Sequence, residues 1–349
     1  MAITQWDPMD LPIRPGLYTN FVNAAEGQIT GGARGIVAIP LNTYTGGSAT
    51  AKTFYTVSDE TGAVEHFGAD NIQSIKFALQ GGAKEVLVYT MPATPATADF
   101  TDMRNAFEAR PFNVFVFDGE PSPTERTNTL AWVIANRAER KHFMFVTGGT
   151  AADDANPATG NTRSAALLDD YVVNLITGVT IDGTDYSSGK YAAHIAGLIA
   201  GTAINRSITF TEVAVDDVTK RLRNSEIITA LQAGSLVLVN DGEKVKIEQG
   251  ITTAQTKIRS TRARQAVATD VEKTARDNYI GKLDNSADGQ AALISAIKAY
   301  LESLESNNVL TDIVVALDTQ NPSVGDTVFM QISYREIDSM ERIFLTINV

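Results

Sequence analysis

SLVLVNDGEKVKIEQG, residues 235–250, followed by AQTKIRSTRARQAVATDVEKTARDNY, residues 254–279, is the stretch from which the architecture is read. Ser235 to Asn240 is apolar on both faces, as a central strand is. Glu243 to Gln249 alternates, with Val245 and Ile247 on one side and Lys244, Lys246 and Glu248 on the other. Between them, Asp241-Gly242 predicts a hairpin closed by a type I′ turn, whose two central residues both take positive φ. From Ala254 to Tyr279 there is neither Pro nor Gly, and Ala, Arg and Lys recur, which favours helix. At 100° per residue, Arg259, Arg262, Lys273 and Arg276 share one arc, and Val267, Ala268, Val271, Ala275 and Tyr279 share another. The spacing therefore predicts a long helix with one packing face and one face presenting positive charge.

Upstream, short apolar strands alternate with amphipathic helices. Strands are expected at Glu85–Tyr89, Asn113–Phe117, His142–Val146 and Tyr171–Leu175, with helices near 71–80, 98–109, 124–140 and 163–168. That alternation predicts a mainly parallel sheet covered on both faces. Asp182-Gly183 interrupts it, so a domain boundary is expected near residue 180. SGKYAAHIAGLIAGT, residues 188–202, then reads as a buried helix whose Ala and Gly residues admit a neighbouring backbone. Another amphipathic helix is expected over Asp288–Ser303, and strands at Ile313–Leu317, Val328–Tyr334 and Ile343–Ile347. The fold class is thus α/β plus α+β, a mainly parallel α/β domain followed by an α+β domain, with extended strand arms at both ends. The expected division is an N-terminal arm at 1–25, an outer α/β domain at 26–180, an α+β domain at 181–326 and C-terminal strands with an arm at 327–349.

The chain has 349 residues and a net charge of -12, with 44% hydrophobic residues, enough for a sizeable core. The acidic balance argues against nucleic acid as a partner, because phosphate binding leaves a basic footprint. Yet Lys257–Arg276 holds six basic residues against two acidic ones, so positive charge is segregated there, as it would be for an acidic partner. With no cysteine, disulfides and thiolate metal sites are excluded. MAITQWDPMD lacks the basic and then apolar run of a secretion signal. The most apolar helical segment, Ile195–Ile204, is far shorter than the roughly 20 residues of a membrane span, so no membrane insertion is expected.

A search for chemistry finds little. His66, His142 and His194 are too scattered for a metal site, and each is read as structural. No GxSxG elbow, HExxH pair or phosphate loop occurs. GGARG at 31–35 precedes a strand, whereas a dinucleotide loop must follow one. The Asp pairs at 153–154, 169–170 and 216–217 fit loops and helix starts better than catalysis. The residues therefore predict no cofactor, no metal and no enzyme, and leave open an α/β enzyme with an unrecognised site or an oligomeric surface or adhesion protein.

The order of pieces carries a resemblance. RPGLYTNFVN at 14–23, GGARGIVAIPL at 31–41, YAAHIAGLIAG at 191–201, the hairpin with its basic helix, and YIGKLDNSADGQAALISAIKAYLESL at 279–304 resemble the sheath proteins of contractile phage tails. The likeness is to the shorter sheaths of phages and phage-tail-like bacteriocins of Gram-positive bacteria. Where larger sheaths carry Gly-Ala-Arg-Thr after the hairpin, this chain has Gly250-Ile251-Thr252-Thr253. The resemblance implies stacked hexameric rings around a tail tube protein, with baseplate and terminator proteins as further partners. It also implies contraction without nucleotide hydrolysis, in a tail particle assembled in the bacterial cytoplasm. On that footing Arg259, Arg262, Lys273 and Arg276 are expected to meet the tube, and reversing Arg259 and Arg262 together is expected to spare the fold. Arg14, Leu17, Tyr18 and Phe21, with Ile343, Phe344, Leu345, Ile347 and Val349, are expected to form arms that pair with neighbouring subunits.

Overall fold

The computed structural model describes residues 34–347. Residues 34–90 give β1 (Ile36–Leu41), β2 (Phe54–Val57), α1 (Glu60–Phe67), α2 (Gln73–Gly81) and β3 (Glu85–Thr90). The alternation continues through α3 (Thr97–Glu108), β4 (Val114–Val116), α4 (Pro123–Ala138), β5 (Met144–Thr147), α5 (Ala151–Asp154), α6 (Pro157–Ala166) and β6 (Val172–Leu175). Next come β7 (Val179–Ile181), β8 (Thr184–Tyr186), α7 (Ser188–Gly201), β9 (Glu212–Val213), β10 (Asp217–Val218) and α8 (Asn224–Gln232). They are followed by β11 (Ser235–Leu236), β12 (Leu238–Asn240) and β13 (Val245–Ile247). The last part holds α9 (Ile258–Thr274), α10 (Ala287–Ser306), β14 (Leu310–Leu317) and β15 (Met330–Glu336).

The described residues form a seven-stranded sheet in the order β11-β6-β5-β4-β1-β3-β2. Every pairing in it is parallel except that of β2 with β3. β3, β4 and β5 lie in this one sheet, as their apolar runs predict. All three residues of β4 and all four of β5 are buried, which is what cover on both faces requires. The connections run one way from β1 to β3 and the other way from β4 to β6, so right-handed crossovers lay helices on opposite faces. Local signals start the helices where they do. Ser122 accepts from the Glu125 amide at 3.2 Å, and Pro123 occupies the first helical turn, where a missing N–H costs nothing.

Helix α7 decides how the chain divides. It is apolar all round, with Tyr191, Ala192, Ala193, Ile195, Ala196 and Ile199 in the same core as Val37, Phe115 and Phe145. It packs on β1, β4, β5 and α2. The boundary expected near residue 180 therefore falls inside a continuous core, which runs from Val37 to Ile258. What interrupts the pattern there is a hairpin turn. Asp182 and Gly183 both take positive φ, 49° and 73°, and close β7 onto β8 with Ile181 opposite Thr184. A second, smaller core gathers Ala263 and Val267 of α9, Ile297, Tyr300, Leu301 and Leu304 of α10, and Val309 and Leu310.

The hairpin expected at 235–249 also differs in detail. Its first strand is split, with β11 pairing parallel to β6 in the large sheet and β12 pairing antiparallel to β13. Of Asp241 and Gly242 only Gly242, at 103°, has positive φ, so the turn is not type I′. Asp241 instead accepts from the Glu243 and Lys244 amides through its side chain, which holds the loop without left-handed backbone at Asp241.

Helices α2 and α7 meet backbone to backbone. A Cβ added at Gly197 would lie 2.0 Å from the Ala78 carbonyl oxygen, and one at Gly201 the same distance from that of Gly82. Neither carbonyl can retreat without moving a helix, so Gly197→Ala should lower stability by about 1–3 kcal/mol, read as a lower urea midpoint with an unchanged slope.

Candidate functional site

Helix α9 lies between the α/β body and the second core, so it is covered on two sides. Arg259 and Arg262 are 8% and 9% exposed. Arg259 donates from a terminal nitrogen to the Asn308 carbonyl at 2.8 Å. Arg262 donates to the carbonyls of Thr202 and Ala203, where α7 ends and its dipole leaves partial negative charge. Burial, with the nearby charge of Arg34, pulls the Arg262 guanidinium down to about 10, so it stays charged at neutral pH. The single exposed basic face expected from helical spacing is therefore corrected: Arg259 and Arg262 point inward because a neighbour covers their arc. Lys273 and Arg276 are exposed, at the rim of a cleft of about 660 Å³ that Arg110, Arg140 and Lys141 also line. Arg276 is paired with Glu272 at 2.5 Å.

The paired reversal of Arg259 and Arg262 should accordingly unfold the chain. Arg262→Glu alone turns a buried carboxylate toward carbonyl oxygens, at a cost of about 3–5 kcal/mol. Urea denaturation of that single variant measures it.

The second surface is formed by the C-terminal part of the described residues. β14 and β15 pair only with each other among the described residues, so both are edge strands. One face of the pair, with Ile313, Val315, Met330, Ile332 and Tyr334, packs on α9 and α10. Beyond it, residues 337–347 carry no regular structure, and the strand expected at Ile343–Ile347 is unpaired. Ile343, Phe344, Leu345 and Ile347 are 79%, 93%, 79% and 74% exposed. Arg14, Leu17, Tyr18, Phe21 and Val349 lie outside the described residues.

The root of this tail is held firmly, a feature the sequence reading missed. Glu341 accepts from Thr209 Oγ1 at 2.9 Å and from Gln249 Nε2 at 2.8 Å, and its carboxylate lies 3.1 Å from Lys257 Nζ. The same ammonium is 2.5 Å from Asp338. Burial alone would raise the Glu341 pKa, but the bonds from Gln249, Thr209 and Lys257 outweigh it and hold the carboxyl below its ordinary range. The only trace in the sequence is two acids just ahead of an apolar run.

Because the folded pKa of Glu341 is the lower one, its contribution is complete above the ordinary carboxylate value of about 4.3 and disappears as pH falls through the folded value. The Glu341 carboxyl carbon, followed by NMR, should titrate below that ordinary value. A midpoint at or above it would mean the anchor does not form.

The remaining singled-out residues have structural partners. Arg137 grips Asp169 with two bonds of 2.7 and 2.8 Å. Asp154 accepts from the Ser188 amide and hydroxyl, and burial raises its pKa to about 6. Arg221 pairs with Asp217. His194 stacks on Tyr191 at 4.8 Å, and burial lowers its imidazole to about 4, so it is neutral.

Open sheet edges and an exposed apolar tail leave backbone groups and apolar area that the described residues do not cover. Residues 93–253 match the phage tail sheath protein central domain, and residues 252–349 match the phage tail sheath C-terminal domain. The chain belongs to the contractile phage tail sheath family and is a structural sheath subunit. It is 23% identical over 321 residues to the tail sheath protein of Clostridium phage phiCD119, across 87% of this chain and 82% of that one. The fold is that of the sheath tail protein of Desulfitobacterium hafniense, with a TM-score of 0.75, 19% identity and 95% and 99% of the two chains covered. It is also that of the anti-feeding prophage helical sheath in its contracted state, with a TM-score of 0.73, 14% identity and 97% and 99% covered. The two matched domains meet at residues 252–253, just before α9 and close to where the large core gives way to the smaller one.

Proposed function

We propose that this chain polymerises as stacked hexameric rings around an inner tube, and that the sheath contracts to drive the tube through a target cell envelope. Its partners are further copies of itself, a tail tube protein, and baseplate and terminator proteins. The particle is a virion tail or a phage-tail-like particle assembled in the bacterial cytoplasm. No catalytic step enters this reading. The work comes from a lattice trapped in an extended state that gains interface on contraction.

The observation that carries the reading is the exposed row Ile343, Leu345 and Ile347 in the same chain as β14 and β15, whose outer edges are unpaired among the described residues. Packing on α9 and α10 stabilises the pair, but its outer edges still lack backbone partners among the described residues. Strand addition in trans supplies them: one edge takes Ile343–Val349 of a neighbour, and the other takes the segment holding Arg14, Leu17, Tyr18 and Phe21 of a second neighbour. Burying each large apolar side chain contributes about 1.5–3 kcal/mol, repeated at every subunit. Extended connections then let rings rotate and compact while the lattice stays joined. Lys273 and Arg276, the exposed members of the basic set, are left to face an acidic tube, at about 0–1 kcal/mol per pair.

Deleting Ile343–Val349 should give a soluble, folded monomer that forms no cylinders when produced with its tube protein, as seen by negative-stain microscopy beside the full chain. Cylinders from the truncated protein would overturn the reading.

A further inference from the structure

We propose that the cleft between α4 and α6 binds an oxyanion, a carboxylate or phosphate group held by the free edge of the Arg126 guanidinium and by the start of α6. The cleft has a volume of about 560 Å³, and Pro123, Arg126, Asp153, Asn156, Thr159 and Arg163 are among the residues that line it. It lies beyond the carboxyl ends of β4 and β5, since α4 follows β4, and α6 follows β5 through the short α5. Open parallel sheets bind ligands on that side, where the starts of their helices converge. The site belongs to the α/β body and stands whether or not the chain assembles.

Arg126 and Arg163 are both buried, 9% and 8% exposed, but they use their nitrogens differently. Arg163 commits all three within the fold: Nε donates to Asn174 Oδ1, Nη1 to Asp153 Oδ2 and Nη2 to the Leu175 carbonyl. Arg126 donates from Nη1 alone, to the carbonyls of Pro121 at 2.7 Å and Gly148 at 3.4 Å. Its Nε and Nη2 make no bond among the described residues, and no carboxylate there pairs with its charge. Those two nitrogens form one edge of the planar fork, whose parallel N–H groups match two oxygens of a carboxylate or phosphate.

The surroundings favour negative charge as well. Burial pulls both guanidiniums below their ordinary range, and the nearby charge of Arg126 helps bring Arg163 down to about 10. Asp153 is the only carboxylate lining the cleft among the described residues, and it is already bound to Arg163 at 3.2 Å and to the Thr150 amide at 3.1 Å. It therefore offsets only part of the positive charge. The ten-residue α6 begins with Asn156, whose side chain makes no capping bond, and has no acid in its first turn, so its partial positive charge faces the cleft unopposed. Lys220 donates to the Ala155 carbonyl at 2.7 Å, which brings a third cation next to Asn156.

The test uses the purified full chain in sodium phosphate or sodium succinate, against sodium chloride at equal ionic strength. The thermal midpoint should rise saturably with either anion and not with chloride. Arg126→Lys keeps the charge but loses the paired N–H groups, so the response should need about tenfold more anion, as for the loss of one charge-assisted bond. Thr159→Glu supplies a carboxylate from the third residue of α6, where a helix accepts an acid. That variant should fold, melt higher with no anion added and lose the response, whereas Thr159→Gln should keep it. In cylinders formed with the tube protein, cryo-electron density beside Arg126 separates the two sources of the group: an acidic side chain of the next copy, or an isolated anion that leaves on dialysis. A rise no larger than that in chloride, or one unchanged in Thr159→Glu, would overturn the site and leave the assembly reading untouched.

Discussion

A helix covered on two sides must find partners for the polar groups that it takes inside, and α9 takes in two arginines. Both donate to backbone carbonyls, Arg259 from a terminal nitrogen to Asn308 while its buried Nε stays without a partner, and Arg262 to Thr202 and Ala203 just past the end of α7. That requirement orders much of the molecule. α7 must end where Arg262 can reach it, and α10 must turn back so that Asn308 meets Arg259. The α/β body and the second core are consequently joined by directional bonds as well as apolar contact.

The body and the tail obey opposite rules. In the body, α7 is buried along nearly its whole length and glycines let it touch α2 at the backbone. At the C-terminal end the pattern is reversed. Among the described residues β14 and β15 have no strand on either outer edge, and Ile343, Phe344, Leu345 and Ile347 expose most of their apolar surface. That arrangement leaves a lone chain with unpaired backbone groups and exposed apolar side chains. The anchor at Glu341 separates the two regimes within a few residues.

The charge pattern shows how the same residues acquire different meanings. Six basic residues in an acidic chain read naturally as one surface stripe. In the folded chain they are distributed: Arg259 and Arg262 inward, Lys257 to the tail root, Arg264 exposed and paired with Glu336, and Lys273 and Arg276 exposed on the cleft. Helical spacing assigns residues to arcs but does not say which arcs are covered, and α9 has cover on more than one.

Period and order along the chain were enough to determine the parallel sheet, the buried α7 and the sheath resemblance, because short apolar runs and small-residue helices are encoded within a few neighbouring positions. Two Asp-Gly pairs mark the limit of that local code. Asp182-Gly183 closes a type I′ hairpin where a domain boundary was expected, and Asp241-Gly242 closes a looser loop where type I′ was expected. The dipeptide permits either turn, and the register of the flanking strands selects one. Likewise the inward turn of Arg262, the continuous core across residue 180 and the grip of Lys257 on Glu341 join residues far apart in sequence. Only the tertiary structure decided them, because their energy depends on which surfaces the rest of the chain brings together.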